Sequence, residues 1–186
     1  MRVLLLAASI LATGTALANE RAPIGSGVST SDRANTAERP IRFASSAPAG
    51  GVLVVPMAGA NDLAHVPAAL RGSVTRAVAT ADFKAVPDKT LSLYGTGGYD
   101  RVVLIGVPQG QLSAAALADF GGRAAQETKG NALPVAIVAG SLPATVADPA
   151  AHVAMGATLG QYRFDRLKSG VTAPASQPLT IVAPAG

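Results

Sequence analysis

The stretch Val102-Val-Leu-Ile-Gly-Val107 is an unbroken apolar run, with Asp100 and Arg101 before it and Pro108 after it. Such a run is typical of a β-strand that is buried on both faces, as happens when helices cover a largely parallel sheet. Further short segments rich in branched residues are bounded by Gly, Pro, Asp or Asn, at residues 41–44, 52–55, 90–94, 135–138 and 179–182. We therefore expect an α/β fold with a mixed sheet of about six strands flanked by helices.

Helical spacing of apolar residues separates these strands in three places. The first helix is predicted over residues 66–81, and the second begins after an N-cap at Ser113 and ends at Lys129-Gly130. The third begins with an N-cap at Asp148, followed by Pro149 at the first helical position, and stops near Ser169-Gly170. The predicted order is ββαββαβαβ, which indicates a three-layer domain.

The third helix carries apolar residues on more than one side. Gly156 and Gly160 are one turn apart, so this helix is expected to approach a neighbouring helix closely. Large apolar residues occur in two sets, with Met155, Leu159 and Tyr162 on one side and Val153, Phe164 and Leu167 on another. We therefore expect the helix to be buried over a wide arc.

The N-terminus has the pattern of a secretory signal. Arg2 is followed by an apolar run up to Leu17, and Ala16-Leu17-Ala18 fits the small-x-small rule for cleavage before Asn19. The alternative is a membrane anchor, but the run is shorter than the roughly 20 residues that span a bilayer. We expect residues 1–18 to be a signal peptide, residues 19–40 a flexible leader, and the location to be periplasmic or secreted.

Composition limits the remaining possibilities. A chain of 186 residues with 49% hydrophobic residues can bury one sizeable core, so residues 41–186 are expected to form one domain. It contains no cysteine, which excludes disulfides and thiolate chemistry. Only 4% of residues are aromatic and the net charge is a mild +4, so a nucleic-acid partner is not expected.

Candidate catalytic or binding residues do not form a recognisable group. His65 and His152 are far apart in sequence, and Ser113 and Ser141 lack the elbow motif of serine hydrolases. Tyr94-Gly-Thr-Gly-Gly98 links two strands, which favours a glycine turn over a phosphate loop. Ala58-Gly-Ala-Asn-Asp62 is compatible with a nucleotide-binding loop or, more simply, with a cap of the following helix. We expect no catalytic, cofactor-binding or metal-binding residues in this chain.

A longer segment, Gly156-Ala-Thr-Leu-Gly-Gln-Tyr-Arg-Phe-Asp-Arg-Leu-Lys168, resembles the helix that closes the N-terminal domain of leucyl aminopeptidases (cytosol aminopeptidases). Asp100–Val107 with Leu112–Leu117, and the link Ala81-Asp-Phe83, are also similar to that domain. The resemblance covers about residues 41–182. Its signature residues, expected to be structural, are Gly156, Tyr162, Phe164, Asp165 and Lys168.

The resemblance implies a macro-like fold and hexameric assembly. It also implies that the family's chemistry belongs to another domain, in which Asp, Glu and Lys side chains hold two zinc or manganese ions that activate water for release of an N-terminal residue. None of those positions is present in this sequence, so no cofactor is expected in this chain, and the chain is predicted to be inactive alone.

Three functions are compatible with these observations. The first is an exported, stand-alone N-terminal domain that acts as a non-catalytic structural or interaction module, either with a catalytic aminopeptidase domain as partner or as a homo-oligomer. The second is a subunit or fragment of a dimetal aminopeptidase that is completed by a separate catalytic domain. The third is a macro-like binder of ADP-ribose or related nucleotides.

Overall fold

The structure is a computed structural model that describes residues 39–140, 142–162 and 177–183. Within these ranges the strands are β1 (Ile41–Ala44), β2 (Val52–Met57), β3 (Thr90–Thr96), β4 (Tyr99–Gly106), β5 (Val135–Val138) and β6 (Leu179–Val182). The helices are α1 (Arg71–Thr80), which follows a short 3-10 turn (Ala68–Leu70), α2 (Ala114–Glu127) and α3 (Pro149–Gln161). The predicted order of elements is confirmed. None of the described helices is long and apolar enough to cross a membrane.

The strands form one mixed sheet in the order β1-β6-β5-β2-β4-β3. All neighbouring strands are parallel except β3 and β4, which form an antiparallel hairpin at one edge. The hairpin turns at Gly97 and Gly98, whose φ angles of 61° and 86° lie in the left-handed region that favours glycine. This confirms that Tyr94-Gly-Thr-Gly-Gly98 is a glycine turn between two strands.

Helices cover both faces of the sheet, which confirms the three-layer arrangement. Alternate residues of β2 and β4 point to opposite faces, as the pleat of a strand requires. On one face, Leu53, Val55, Val102 and Leu104 pack with Leu70 of the 3-10 turn and with Val74 and Val78 on the buried side of α1. On the other face, Val52, Val54, Val103 and Ile105 pack with α2 and α3 through Leu117, Phe120, Ala124 and Val153.

Both predicted helix caps on the second face are confirmed. The Ser113 hydroxyl accepts a hydrogen bond from the Ala116 backbone N–H at 3.2 Å, and the Asp148 carboxylate accepts one from Ala151 at 3.1 Å. Each cap satisfies a backbone donor that the first helical turn leaves without an intrahelical partner. Pro149 occupies the start of α3, where its missing N–H costs no helical hydrogen bond.

The predicted end of the third helix is wrong. Helix α3 ends at Gln161, and Tyr162 has left the helical region with a ψ of 131°. The expected stop near Ser169-Gly170 lies outside the described residues. Apolar spacing continues past the true end through Phe164 and Leu167, which is why periodicity alone extended the helix.

The expectation that α3 is buried on the side of Met155 is also wrong. Met155, Leu159 and Tyr162 are 50%, 68% and 61% exposed, whereas Val153 is fully buried. The buried face of α3 is made mostly of small residues: Ala150, Ala154, Gly156 and Ala157. Because these lie against α2, the larger side chains at other positions face outward.

Residues just before β1 are attached to the fold. The backbone N–H of Arg39 donates to the side-chain oxygen of Gln161 at 2.7 Å, and its guanidinium donates to the Leu133 carbonyl at 3.0 Å. Burial raises the cost of keeping this guanidinium charged, so its pKa is lowered from the ordinary arginine value. The last residues of the predicted leader, Arg39 and Pro40, therefore connect to α3 and to β6, where Leu179 donates to the Pro40 carbonyl.

Candidate ligand crevice and interaction face

A crevice lies beyond the carboxyl ends of three parallel strands, β2, β4 and β5. Its walls come from the loops that follow those strands: Ala58, Asp62, Ala64 and His65 after β2; Val107, Pro108, Gly110, Gln111 and Leu112 after β4; Leu142 and Pro143 after β5. The chain leaves β2 toward α1 on one face and leaves the adjacent strand β4 toward α2 on the other face. Crevices at such points, where connections diverge to opposite faces, are where open α/β sheets bind ligands.

Asp62 organises the loop after β2. One carboxylate oxygen accepts a hydrogen bond from the Ala58 N–H at 2.9 Å, and the other accepts from the Ala64 N–H at 3.1 Å. The Asp62 N–H in turn donates to the Gly59 carbonyl at 3.0 Å. Asp62 therefore holds its own turn and does not cap α1, whose N-cap position, Leu70, makes no side-chain capping bond. Of the two roles predicted as alternatives for Ala58–Asp62, a cap of the following helix is therefore not what the structure shows, and a ligand-binding loop stays a prediction.

Backbone hydrogen bonds also fix the opposite wall of the crevice. Leu112 donates to the Pro143 carbonyl at 2.8 Å, and its own carbonyl accepts from the Thr145 N–H at 3.0 Å. Val107 donates to the Met57 carbonyl at 2.9 Å, which extends the pairing of β2 and β4 into the crevice. The loops after β2, β4 and β5 are thus held together by the main chain, and the crevice is largely pre-formed.

The two histidines occupy separate places. His65 lines the crevice, while His152 is half-buried on α3, on the helix that packs against α2. Among the described residues, no group of three or more His, Cys, Asp or Glu side chains could hold a metal ion. The described part of this chain therefore does not fit the dinuclear metal centre that the family resemblance implies for another domain. Of the two serines considered, Ser113 is a helix cap and Ser141 lies outside the described residues.

The signature residues divide between the fold and the undescribed part of the chain. Gly156 is buried where α3 crosses α2, and a Cβ at this position would overlap the carbonyl oxygen of Ala118. Tyr162 lies just after α3 and is exposed. Phe164, Asp165 and Lys168 lie outside the described residues. In this structure the missing side chain of Gly156 permits the close approach of the two helices.

A shallow groove of about 610 Å³ runs along the outer side of the α2–α3 pair. Its floor is made of small residues, Ala118, Gly122, Gly156 and Gly160, and Leu159 stands on one wall. The opposite wall carries Asp88, which accepts a hydrogen bond from the Arg123 guanidinium at 3.0 Å. We call the surface formed by Met155, Leu159 and Tyr162, together with this groove, the α3 face.

Arg101 connects the β3–β4 hairpin to α2 by hydrogen bonds. Its guanidinium donates to the Ser92 hydroxyl at 2.8 and 3.1 Å and to the Glu127 carbonyl at 3.0 Å. It also lies over the ring of Tyr94, 5.8 Å from the ring centre. A cation at the carboxyl end of α2 suits the helix dipole, so this cluster is explained by stability alone.

A sequence-family model described as "Cytosol aminopeptidase family, N-terminal domain" matches residues 54–170. This range contains most of β2, all of β3 to β5 and the three helices, and every residue that lines the crevice or forms the α3 face. No curated protein has a sequence that matches the chain significantly.

Solved structures share the fold. A tomato leucine aminopeptidase mutant superimposes with a TM-score of 0.61 at 19% identity, over 80% of this chain and 33% of that one. The bottromycin maturation enzyme BotP gives a TM-score of 0.52 at 21% identity, over 72% of this chain and 27% of that one. The same enzyme in complex with Mn gives a TM-score of 0.50 at 20% identity, over 74% of this chain and 27% of that one. The chain thus spans about a third of the tomato enzyme's length.

Proposed function

We propose that this chain, which belongs to the cytosol aminopeptidase family as an N-terminal domain, is a non-catalytic module that acts by binding a protein partner. The match of the family's N-terminal-domain model to residues 54–170 carries this proposal. The resemblance assigns peptide hydrolysis to a different domain, and the described residues contain no group fit to hold its two metal ions. The module would then act by associating with a partner. According to the predicted signal peptide, it is exported before it does so.

The α3 face is the surface best suited to that association. Three large apolar side chains, Met155, Leu159 and Tyr162, are at least half exposed on or directly after one helix. Exposed apolar side chains that cluster beside a groove are typical of interaction sites.

The absence of catalysis is tested with the purified protein and a leucyl-anilide substrate. We expect hydrolysis no faster than in buffer, with or without added manganese or zinc. Metal-dependent turnover that persists through a second purification, and that scales with the amount of this chain, would contradict the proposal.

The chain superimposes on only a third of the tomato enzyme, and this observation supports a second candidate function. The domain would then be one part of a two-chain aminopeptidase, completed by a separately encoded chain that carries the metal ligands. Co-expression of the two chains tests this candidate: a stable complex with metal-dependent activity supports it, and a complex without activity favours the non-catalytic module.

A further inference from the structure

We propose that the crevice at the ends of β2, β4 and β5 binds a small apolar molecule that ends in an ammonium group, with Asp62 as the acceptor. This ligand site is separate from the α3 face. The outer groove lies along α2 and α3, whereas the crevice is lined by the three loops beyond the strands. A negative binding result for the crevice would therefore leave the proposed binding of a protein partner at the α3 face unaffected.

The size and walls of the crevice suit a small organic molecule. Its volume is about 360 Å³, within the range of small-molecule sites. Apolar side chains form most of the lining: Ala58, Ala64, Val107, Pro108, Leu112, Leu142 and Pro143. An apolar ligand body would therefore bury its surface against these walls, which favours binding through the hydrophobic effect.

Asp62 gives the crevice a side chain that can only accept hydrogen bonds when ionised. An ionised carboxylate only accepts hydrogen bonds and has about four lone-pair sites. In Asp62, one hydrogen bond to each oxygen is already made by the main chain, so both oxygens keep acceptor capacity. These two bonds also hold the carboxylate in place before a ligand arrives, which lowers the entropy cost of binding.

The charge of the crevice selects a cation over an anion. Asp62 is the one Asp, Glu, Lys or Arg side chain among the described residues that line it. A ligand carboxylate or phosphate would be brought close to a like charge with no side-chain cation to offset it. A ligand ammonium would make a charge-assisted hydrogen bond with the same carboxylate.

Three ligands with the same apolar body separate these contributions. Phenylpropylamine, phenylpropanol and phenylpropionate present a cation, a neutral hydroxyl and an anion on the same ring and chain. Binding to the purified mature protein is followed by NMR titration up to about 10 mM, which reaches the weak affinities expected of so small a ligand. We expect the amine to bind most tightly, the alcohol about tenfold more weakly, and the carboxylate most weakly of all.

Two variants locate the site. Asp62→Asn removes the charge and also one of the two backbone hydrogen bonds, because an amide nitrogen cannot accept; we expect it to weaken the amine at least about tenfold and the alcohol by a clearly smaller factor. Ala64→Trp fills the crevice from an exposed position on its wall without removing the Asp62 hydrogen bonds, and we expect it to abolish binding of all three ligands. Ala69→Trp, on the exposed surface of the turn before α1, is the matched control that should bind normally. Thermal unfolding verifies that each variant is folded.

Several results would overturn this assignment. Equal binding of the three ligands, tightest binding of the carboxylate, or no binding at all would remove the role of Asp62. Amine binding that Ala64→Trp leaves unchanged would place the ligand elsewhere. Adenosine and ADP-ribose are included as further ligands, and saturable binding of either without binding of the amine would replace the ammonium class with a nucleotide class.

Discussion

Gly156 in α3 lies against the backbone carbonyl of Ala118 in α2, so closely that a single added carbon at residue 156 would overlap the oxygen. The same relationship recurs around it. A Cβ at Gly121 would overlap the Val153 carbonyl, and one at Gly160 would come within 2.6 Å of the Gly122 carbonyl oxygen. The helix pair is therefore a backbone-to-backbone contact, and its distance is set by glycine.

Gly156→Ala is expected to destabilise the protein by about 1–3 kcal/mol, because the new methyl group must push α3 away from α2. Neither helix can yield by a side-chain rotation, since the obstructing atoms at Ala118 belong to the backbone. Urea unfolding of the purified variant gives the change in the free energy of unfolding.

Gly72→Ala is the matched control for that experiment. Gly72 is exposed in α1, and a Cβ there meets no atom within 4 Å. Alanine is a better helix former than glycine, so we expect this variant to gain up to about 1 kcal/mol. If both variants gain stability, helix propensity decides the outcome and the close α2–α3 contact does not.

Two substitutions in α3 test which side of the helix is buried. Val153 is fully buried, so Val153→Ala should cost about 1–3 kcal/mol through lost apolar burial and an unfilled cavity. Leu159 is 68% exposed, so Leu159→Ala should change stability by no more than about 0.5 kcal/mol. Comparable losses for the two variants in chemical unfolding would show that the Leu159 side is covered in the free protein.

Much of the fold could be predicted because its local signals are physically strong. The segments at Ile41–Ala44, Val135–Val138 and Leu179–Val182 agree with the strands β1, β5 and β6 to the residue, since each is a branched apolar run with a clear boundary. Ser113 and Asp148 mark helix starts because few other residues can satisfy the free N–H groups there.

The predictions that were wrong or missing concern how helices and loops pack against one another. In α3 the contact with α2 is made by alanine and glycine, so the largest apolar residues do not mark the buried face. Hydrophobic periodicity gives weight to large side chains and therefore indicated Met155 and Leu159. The crevice was also missed, because its walls come from three loops that only the order of strands brings together.

Arg39→Ala is expected to lower stability by about 1–2 kcal/mol. The substitution removes the charged donor to the Leu133 carbonyl, although it also relieves the cost of burying the guanidinium. The bond between the residue 39 backbone and Gln161 should persist in the variant. Arg42→Ala, on an exposed position of β1, is the control and should be near neutral. Equal melting temperatures for the two variants would contradict a stabilising role of the Arg39 side chain.

Arg101→Lys should also destabilise the protein, by about 1 kcal/mol, although the charge is kept. A lysine cannot reproduce the forked contacts with the Ser92 hydroxyl and the Glu127 carbonyl. Arg76→Lys, on the exposed side of α1, provides the same chemical change without these contacts and should have no measurable effect. Thermal unfolding of both variants at one pH compares them directly, and equal shifts would mean that only the charge of Arg101 matters.

Export predicts a defined mature N-terminus. When the whole chain is produced in a bacterium with a secretion pathway, we expect removal of residues 1–18 and a mature protein that begins at Asn19. Ala18→Leu places a large side chain where the peptidase requires a small one and should leave the precursor uncut, whereas Ala12→Leu lies in the apolar region and should be processed normally. Intact mass of the periplasmic and membrane fractions distinguishes these outcomes. A full-length protein retained in the cytoplasm, or processing of the Ala18→Leu variant at the same bond, would contradict the assigned signal.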